Sequence, residues 1–144
     1  MPEKIIEIKS FSQDIHKFVC RLTAQLSPNS KVLSEKEFRD ILDSESAHLL
    51  VLYDKNETPA AMLTVGIYRT PTGHKAWIED VVVDDLCRGC GYGKKIIEYA
   101  IDFIRDLGAD TISLTSNPSR IAANKLYQTS GFEPYKTNVY KIRL

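Results

Sequence analysis

Two adjacent carboxylates, Glu79 and Asp80, interrupt an otherwise apolar stretch that is predicted to be a β-strand. Burial in such a strand raises the pKa of a carboxyl group toward the range in which it can accept a proton. Neighbouring strand residues point to opposite faces, so at most one of the two side chains is expected to face a given cleft wall. The pair indicates a general base, with solvated or ion-paired carboxylates as the alternative.

A loop with glycine at alternate positions follows this strand: Gly89, Gly91 and Gly93. Without Cβ atoms the backbone can turn sharply and direct its N–H groups toward one bound group. The amino end of the following helix adds partial positive charge, and Arg88 and Lys94 add full charges at the edges. The loop therefore predicts a phosphate or pyrophosphate site, with a tight turn that binds nothing as the alternative.

Two common nucleotide motifs are excluded at this loop. A Walker loop needs serine or threonine after Gly93-Lys94, where Lys95 stands. A dinucleotide fingerprint needs glycine at position 94, which is lysine. The glycines therefore belong to another class of site.

A tyrosine and a cysteine pair are the other side chains with candidate chemistry. Tyr127 lies three residues after Asn124 on one face of a predicted helix, and its phenol can donate a proton to a leaving group. The alternative role for Tyr127 is core packing. Cys87 and Cys90 form a C-x-x-C, but no second pair or histidine cluster completes a zinc site. We expect these thiols to be incidental, and a redox role stays open.

The composition narrows the class of protein. The chain has 144 residues with 19 basic and 19 acidic side chains, so its net charge is zero and a general affinity for nucleic acid is not expected. Its apolar content excludes disorder, and no apolar stretch approaches the ~20 residues of a membrane span. An odd cysteine count and the lack of a signal-peptide pattern at the start favour a cytoplasmic setting. We expect one domain over residues 1–144.

Apolar periodicity and turn residues define the elements that must position these side chains. A Ser34/Glu37 capping box opens the second helix, Gly108 ends the third, and Asn117 is expected to cap the fourth. The predicted elements are, in order, strand 4–9, helices 11–26 and 34–42, strands 47–53, 60–69 and 75–84, helix 94–107, strand 111–115, a helix from 118, and one or two strands within 132–144. This order predicts an α/β (α+β) fold with a mixed sheet.

Three motifs resemble those of the GNAT superfamily of N-acetyltransferases. They are the strand Ile78–Asp84, the loop Arg88-x-x-Gly91-x-Gly93, and the segment Ala123–Phe132 with its "LY…GF" turn. Their order and spacing match over about residues 77–132. The resemblance implies a sheet of about seven strands, splayed between the fourth and fifth strands, with about four helices and acetyl-CoA as cosubstrate in the splay.

The resemblance also implies site residues. Backbone groups of Val81 and Val83 would pair with the pantetheine arm, and Glu79, Tyr127 and Asp80 form the catalytic set, with Glu79 as base and Tyr127 assisting the thiolate. The implied cofactor-binding residues are Val81, Val82, Val83, Arg88, Gly89, Cys90, Gly91, Tyr92, Gly93, Lys94, Asn117, Arg120, Asn124 and Tyr127. This sequence departs from many members in having Arg120, not asparagine, seven residues before the tyrosine.

The activity expected from the resemblance is direct transfer of an acetyl group to a primary amine, carried by a small molecule or a peptide. A catalytically silent acyl-CoA-binding domain and a redox module are the alternatives. Neither nucleic acid nor membrane is an expected partner, and no metal is expected. The acceptor amine is left open, as is a homodimer.

Overall fold

The computed structural model describes residues 2–144. Its elements are β1 (Lys4–Ile8), α1 (Gln13–Leu26), α2 (Glu35–Asp43), β2 (Ala47–Tyr53), β3 (Pro59–Thr70), β4 (Gly73–Val83), a 3-10 turn (Asp85–Cys87), α3 (Tyr92–Asp106), β5 (Thr111–Ser113) and α4 (Ile121–Thr129). The sheet order is β1-β2-β3-β4-β5; the first four strands are antiparallel, and β5 runs parallel to β4. The predicted mixed α/β fold is confirmed.

Two details of the predicted fold are wrong. Residues 132–144 form no strand, so the sheet has five strands where about seven were expected, because a strand exists only where its backbone finds a partner. The last helix begins at Ile121, with Arg120 and not Asn117 at its N-cap. The Asn117 side chain instead accepts a hydrogen bond from the Ser119 N–H at 2.9 Å, which holds a turn before the helix.

Two apolar cores lie on opposite faces of the sheet. One packs α3 and Tyr127 of α4 against residues such as Leu50 and Leu63. The other packs α1 and α2 against the opposite face, with Leu22 and Phe38 fully buried. The predicted capping box is present at the start of α2. Each amphipathic helix packs its apolar side on the sheet, so both faces of the sheet are covered.

A β-bulge interrupts β4 at the two carboxylates. Thr64 of β3 pairs with Glu79 and Met62 with Val82, so two β4 residues lie opposite one β3 residue. Asp80 has a φ of 52°, in the left-handed region. The side chains of β4 therefore do not alternate between the two faces of the sheet at this point. After the bulge, Val81 lies on the same face of the sheet as Ile78 before it.

The sheet opens between β4 and β5, as predicted. Their pairing runs only from Lys75 and Thr111 to Trp77 and Ser113. From Ile78 to Val83, no strand formed by residues 2–144 pairs with β4 on its β5 side. This unpaired edge forms one wall of the site described below.

The buried Asp84 ties α1 to the loop that follows β4. Its carboxylate contacts the Arg21 guanidinium at 2.5 Å and accepts hydrogen bonds from Gln25 Nε2 at 3.3 Å and Leu86 N–H at 3.2 Å. Gln25 Oε1 also accepts from the Asp85 N–H at 3.0 Å. Burial would raise the pKa of Asp84, but these donors outweigh it and hold the pKa below its usual value.

We expect Asp84→Asn to lower the free energy of unfolding at pH 7 by about 1–3 kcal/mol, because a charged acceptor is lost from a buried network. A depressed pKa means that this stabilisation is present above about pH 3.9, the ordinary value, and is lost as the pH falls through the lowered value. Urea unfolding at pH 7 and below pH 3 measures the free energy of unfolding of both chains. The difference between Asp84→Asn and the unaltered chain should be smaller in acid.

The matched control for this change is Asp102→Asn. Asp102 pairs with Arg105 at 2.6 Å, but both side chains are exposed, so the expected loss is about 0.5 kcal/mol or less. Equal stability of Asp84→Asn and the unaltered chain at pH 7 would contradict the role given to Asp84.

Candidate active site

A cavity of about 630 Å³ lies where β4 separates from β5. The free end of β4, the glycine loop, the first turn of α3 and one face of α4 form its walls. Its lining residues are Gln25, Leu26, Val81, Val82, Val83, Cys87, Arg88, Gly89, Gly91, Tyr92, Gly93, Lys94, Arg120, Ile121, Ala122, Ala123, Leu126 and Tyr127. Its volume is typical of a small-molecule site.

The glycine loop presents free backbone donors to this cavity. Gly91 is the N-cap of α3 with a φ of +78°, a conformation that glycine adopts without strain. The first backbone bond of the helix joins Lys95 N–H to Gly91 O at 3.2 Å, so the amides of residues 92–94 precede any intrahelical acceptor. A Cβ at Gly91 would meet no atom within 4 Å. This end of the cavity can therefore take an anion against the backbone.

Two basic side chains border the same end of the cavity. Arg88 pairs with Asp85 at 2.8 Å, and Lys94 approaches Glu98 at 3.9 Å. All four side chains are more than half exposed, and exposed pairs of this kind contribute little energy. Both cations are thus able to turn toward a bound phosphate at low cost.

A second, smaller cavity of about 180 Å³ adjoins the first. Glu79 and Asp80 line it together with Ile78, Leu114 and Thr115. The two cavities have four lining residues in common: Leu26, Val81, Arg120 and Tyr127. They meet at Tyr127, with the carboxylates on one side and the glycine loop on the other.

The two carboxylates are exposed and not buried, contrary to the expectation from the apolar strand. Partial desolvation nevertheless raises the pKa of Glu79, and the neighbouring negative charge of Asp80 raises it further. Both effects disfavour the charged form of Glu79. A carboxylate with a raised pKa at the end of a cavity is a candidate proton acceptor.

Tyr127 is held firmly between the cavities. Its side chain is 5% exposed, and its ring packs edge-on against Phe132 with centroids 6.2 Å apart. Burial raises the pKa of the phenol, an effect that Arg120 partly offsets. The hydroxyl is therefore protonated at neutral pH and can act as a donor.

Three of the predicted cofactor-binding residues lie outside both cavities: Cys90, Asn117 and Asn124. Asn124 Nδ2 donates to the backbone oxygens of Asn117 at 2.9 Å and Arg120 at 2.8 Å, so its amide braces the turn before α4. Arg120 lines both cavities. The binding role of all these residues stays a prediction.

Cys87 and Cys90 do not form a disulfide with each other. All three cysteines are free thiols, and burial together with Asp84 raises the pKa of Cys87, which favours the unreactive thiol form. Within residues 2–144 no group of three or more histidine, cysteine or acidic side chains is placed to hold a metal. In the same part of the chain, no helix combines the length and apolarity that crossing a bilayer requires.

Sequence reasoning missed the residues that α1 contributes and part of the wall that α4 forms. Ala123 and Leu126 lie on the Tyr127 side of α4, and their three- and four-residue spacing is a signal that could have found them. Gln25 and Leu26 come from the last turn of α1, far away in sequence. Only the packing of α1 against β4 brings them to the site, and no local pattern shows that.

Comparisons with known proteins identify a family. The model of the acetyltransferase (GNAT) family matches residues 17–132. An uncharacterized N-acetyltransferase of Bacillus subtilis, YhdJ, is 35% identical over 89 residues, which span 60% of this chain and 61% of that protein.

Solved structures share the fold. A putative acetyltransferase from Agrobacterium tumefaciens superimposes with a TM-score of 0.83 at 24% identity, covering 98% of this chain and 99% of its own. The glucosamine-6-phosphate N-acetyltransferase of Arabidopsis thaliana gives a TM-score of 0.79 at 23% identity and covers 99% of both chains. With the family match over most of the sequence, these likenesses lead to one conclusion: the chain belongs to the acetyltransferase (GNAT) family.

Proposed function

We propose that this protein moves the acetyl group of acetyl-CoA to a primary amine by direct transfer in a ternary complex. The observation that carries the proposal is the junction of the two cavities at Tyr127. One cavity offers an anion-binding end and an apolar channel, and the other offers carboxylates. A thioester carbon and an amine can therefore meet beside one phenol.

The larger cavity suits the donor. The free amides of residues 92–94 and the open face of Gly91 fit a pyrophosphate, and Arg88 and Lys94 are near enough to balance its charge. The unpaired edge of β4 at Val81–Val83 offers backbone groups to the amides of a pantetheine arm. Bound acetyl-CoA supplies an activated acetyl group as a thioester.

The smaller cavity suits the acceptor. Glu79 and Asp80 attract a positively charged ammonium group, which must lose a proton before its nitrogen can attack. We assign that proton to Glu79, directly or through one water, because its raised pKa makes it the better acceptor. The carbon–nitrogen bond then forms as the amine attacks.

Tyr127 is assigned to the leaving group. As the carbon–sulfur bond breaks, the electron pair goes to sulfur, and the phenol donates a proton or a hydrogen bond to the thiolate. Its hydroxyl is protonated at neutral pH because burial raises its pKa. A covalent acetyl-enzyme is not needed, since the high pKa of Cys87 leaves the cavity without an activated nucleophile.

The proposal predicts thiol release from acetyl-CoA in the presence of a suitable amine. We suggest a panel of amino sugars, aminoglycosides, polyamines, amino acids and peptides, because fold relatives include amino-sugar and aminoglycoside acetyltransferases.

Tyr127→Phe keeps the ring and its packing on Phe132, and should lower kcat by about 10²–10⁴-fold at unchanged acetyl-CoA affinity. Tyr53→Phe, a half-buried tyrosine outside both cavities, is the control. Binding of acetyl-CoA without turnover on any amine would favour a silent binding domain.

We expect Gly91→Val to raise the Kd for acetyl-CoA at least about tenfold, or ~1.4 kcal/mol, because the new side chain projects into the cavity. Gly108→Val is the matched control. Gly108 has a similar φ of +86° but lies just past the opposite end of α3, with its nearest side-chain atom 3.9 Å from a built Cβ. Isothermal titration of both folded variants separates backbone strain from loss of the site. Equal affinities in the two variants would contradict the assignment.

We expect Glu79→Gln to reduce kcat/KM most at low pH, where free amine is scarce, and to spare acetyl-CoA affinity. The loss should shrink as the pH rises toward the pKa of the amine, because deprotonation in solution then replaces the base. Asp80→Asn is the control, since asparagine tolerates the left-handed backbone at that position. A pH–rate profile that changes only in Asp80→Asn would move the role to Asp80.

A further inference from the structure

One lysine of the sheet differs from the rest in its surroundings. Lys75, near the start of β4, is half-buried, whereas every other lysine in residues 2–144 is exposed. Its ammonium group forms no ion pair with a carboxylate in the described part of the chain. A lysine that is partly removed from water is usually paired with an opposite charge. The position therefore indicates a negatively charged partner that the chain itself does not supply.

Lys75 shares one face of β4 with Trp77 and Glu79. These three residues alternate with Ala76 and Ile78, which are buried in the core on the opposite face. At the usual rise of a strand, neighbouring members of this row are about 7 Å apart, and its two ends are about 13 Å apart. A cation, an aromatic ring and a carboxylate therefore stand in line along the strand.

The row borders open space. The core that α1 and α2 form on this face of the sheet includes residues such as Leu49 and Met62, but neither Trp77 nor Tyr68 belongs to either core. Tyr68 is 47% exposed. Gly66 pairs with Trp77 on the neighbouring strand, and a Cβ built on it would meet no atom within 4 Å. A ligand can therefore lie along the row without displacing a side chain of β3.

The aromatic ring in the middle of the row has a fixed orientation. The indole Nε1 of Trp77 donates a hydrogen bond to the hydroxyl oxygen of Tyr68 at 3.0 Å. This bond satisfies the polar edge of the indole, while the ring itself is only half-buried. A ring held in this way offers a flat apolar surface to the carbon skeleton of a ligand.

We propose that the acceptor of this enzyme is a primary amine that carries an anionic group, a carboxylate or a phosphate, at the far end of an apolar spacer. The inference rests on the proposed function. The ammonium group lies at Glu79 in the smaller cavity, the spacer covers Trp77, and the anionic group pairs with Lys75. Lys75 therefore determines specificity and takes no part in the transfer itself.

The charges of the row disfavour other amines. A simple alkylamine leaves Lys75 without an opposite charge, and a diamine places a second ammonium group beside it, where like charges repel. An α-amino acid has its two charges on neighbouring carbons, too close together to reach both ends of a row about 13 Å long. The class that fits is an ω-amino acid or an amino-alkyl phosphate with a spacer of several carbons.

Trp77 provides a direct measurement of binding because it is the one tryptophan of the chain. Its fluorescence is followed during titration with ε-aminocaproic acid, aminohexyl phosphate, hexylamine and hexamethylenediamine. Coenzyme A is present in each sample, since it carries no acetyl group to transfer. We expect a saturable change with at least one of the two anionic amines, at a Kd at least about tenfold below that of hexylamine, and still weaker binding of the diamine. Comparison of the two anionic amines shows whether the carboxylate or the phosphate is preferred.

Substitution of the lysine tests its role. Lys75→Met keeps the length of the apolar stem and removes the charge, so we expect it to raise the Kd of the preferred anionic amine at least about tenfold and to leave the Kd of hexylamine unchanged. Lys75→Arg should keep the preference. Lys17→Met is the matched control, because Lys17 is an exposed residue of α1 that also forms no ion pair within residues 2–144. Equal Kd values for all four amines, or an unchanged preference in Lys75→Met, would overturn the proposal.

Thiol release from acetyl-CoA with the same amines separates this inference from the proposed function. Equal kcat/KM values for hexylamine and both anionic amines would leave acetyl transfer standing and overturn the anion-binding role of Lys75. Selective binding at Trp77 without thiol release from any amine would contradict acetyl transfer and support the anion-binding role of Lys75. The two failures therefore give different results.

Discussion

The structure depends on a backbone constraint in β4: its second half has a strand partner on one side only. Pairing with β5 stops at Trp77 and Ser113, and a bulge at Asp80 then shifts the register against β3. A strand edge of this kind in the middle of a sheet is costly unless something else hydrogen-bonds to it. The gap is therefore a natural place for an extended ligand. The end of the β4–β5 pairing also determines which residues line the gap.

The bulge also decides what the carboxylates can do. Because Asp80 adopts a left-handed φ of 52°, Glu79 and Asp80 lie at a break in the pleat and both line the smaller cavity. The same break returns Val81 to the face that contacts α3 and the glycine loop. At the end of β4, the Asp84 network fixes α1 against the loop, so the two cavities share one rigid support.

Much of the fold was predictable because its signals are local. The Ser34 capping box, the left-handed Gly108 and the helical apolar periodicity of α3 each need only a few neighbouring residues. The glycine loop and Tyr127 were also found from sequence, through motif order. What sequence could not give depends on distant partners: the contribution of Gln25 to the cavity, the exposure of Glu79, and the missing strands after Phe132, whose alternating pattern pairs with no strand among residues 2–144.

The central claim is that acetyl-CoA pairs with the unpaired edge of β4 and with the free amides at the start of α3. Amide hydrogen exchange, measured with and without saturating acetyl-CoA, tests it residue by residue. The account predicts slower exchange at 81–83 and 91–94, and no change in β2, whose amides are already paired on both sides. Binding that leaves exchange at both of those stretches unaltered would contradict the account.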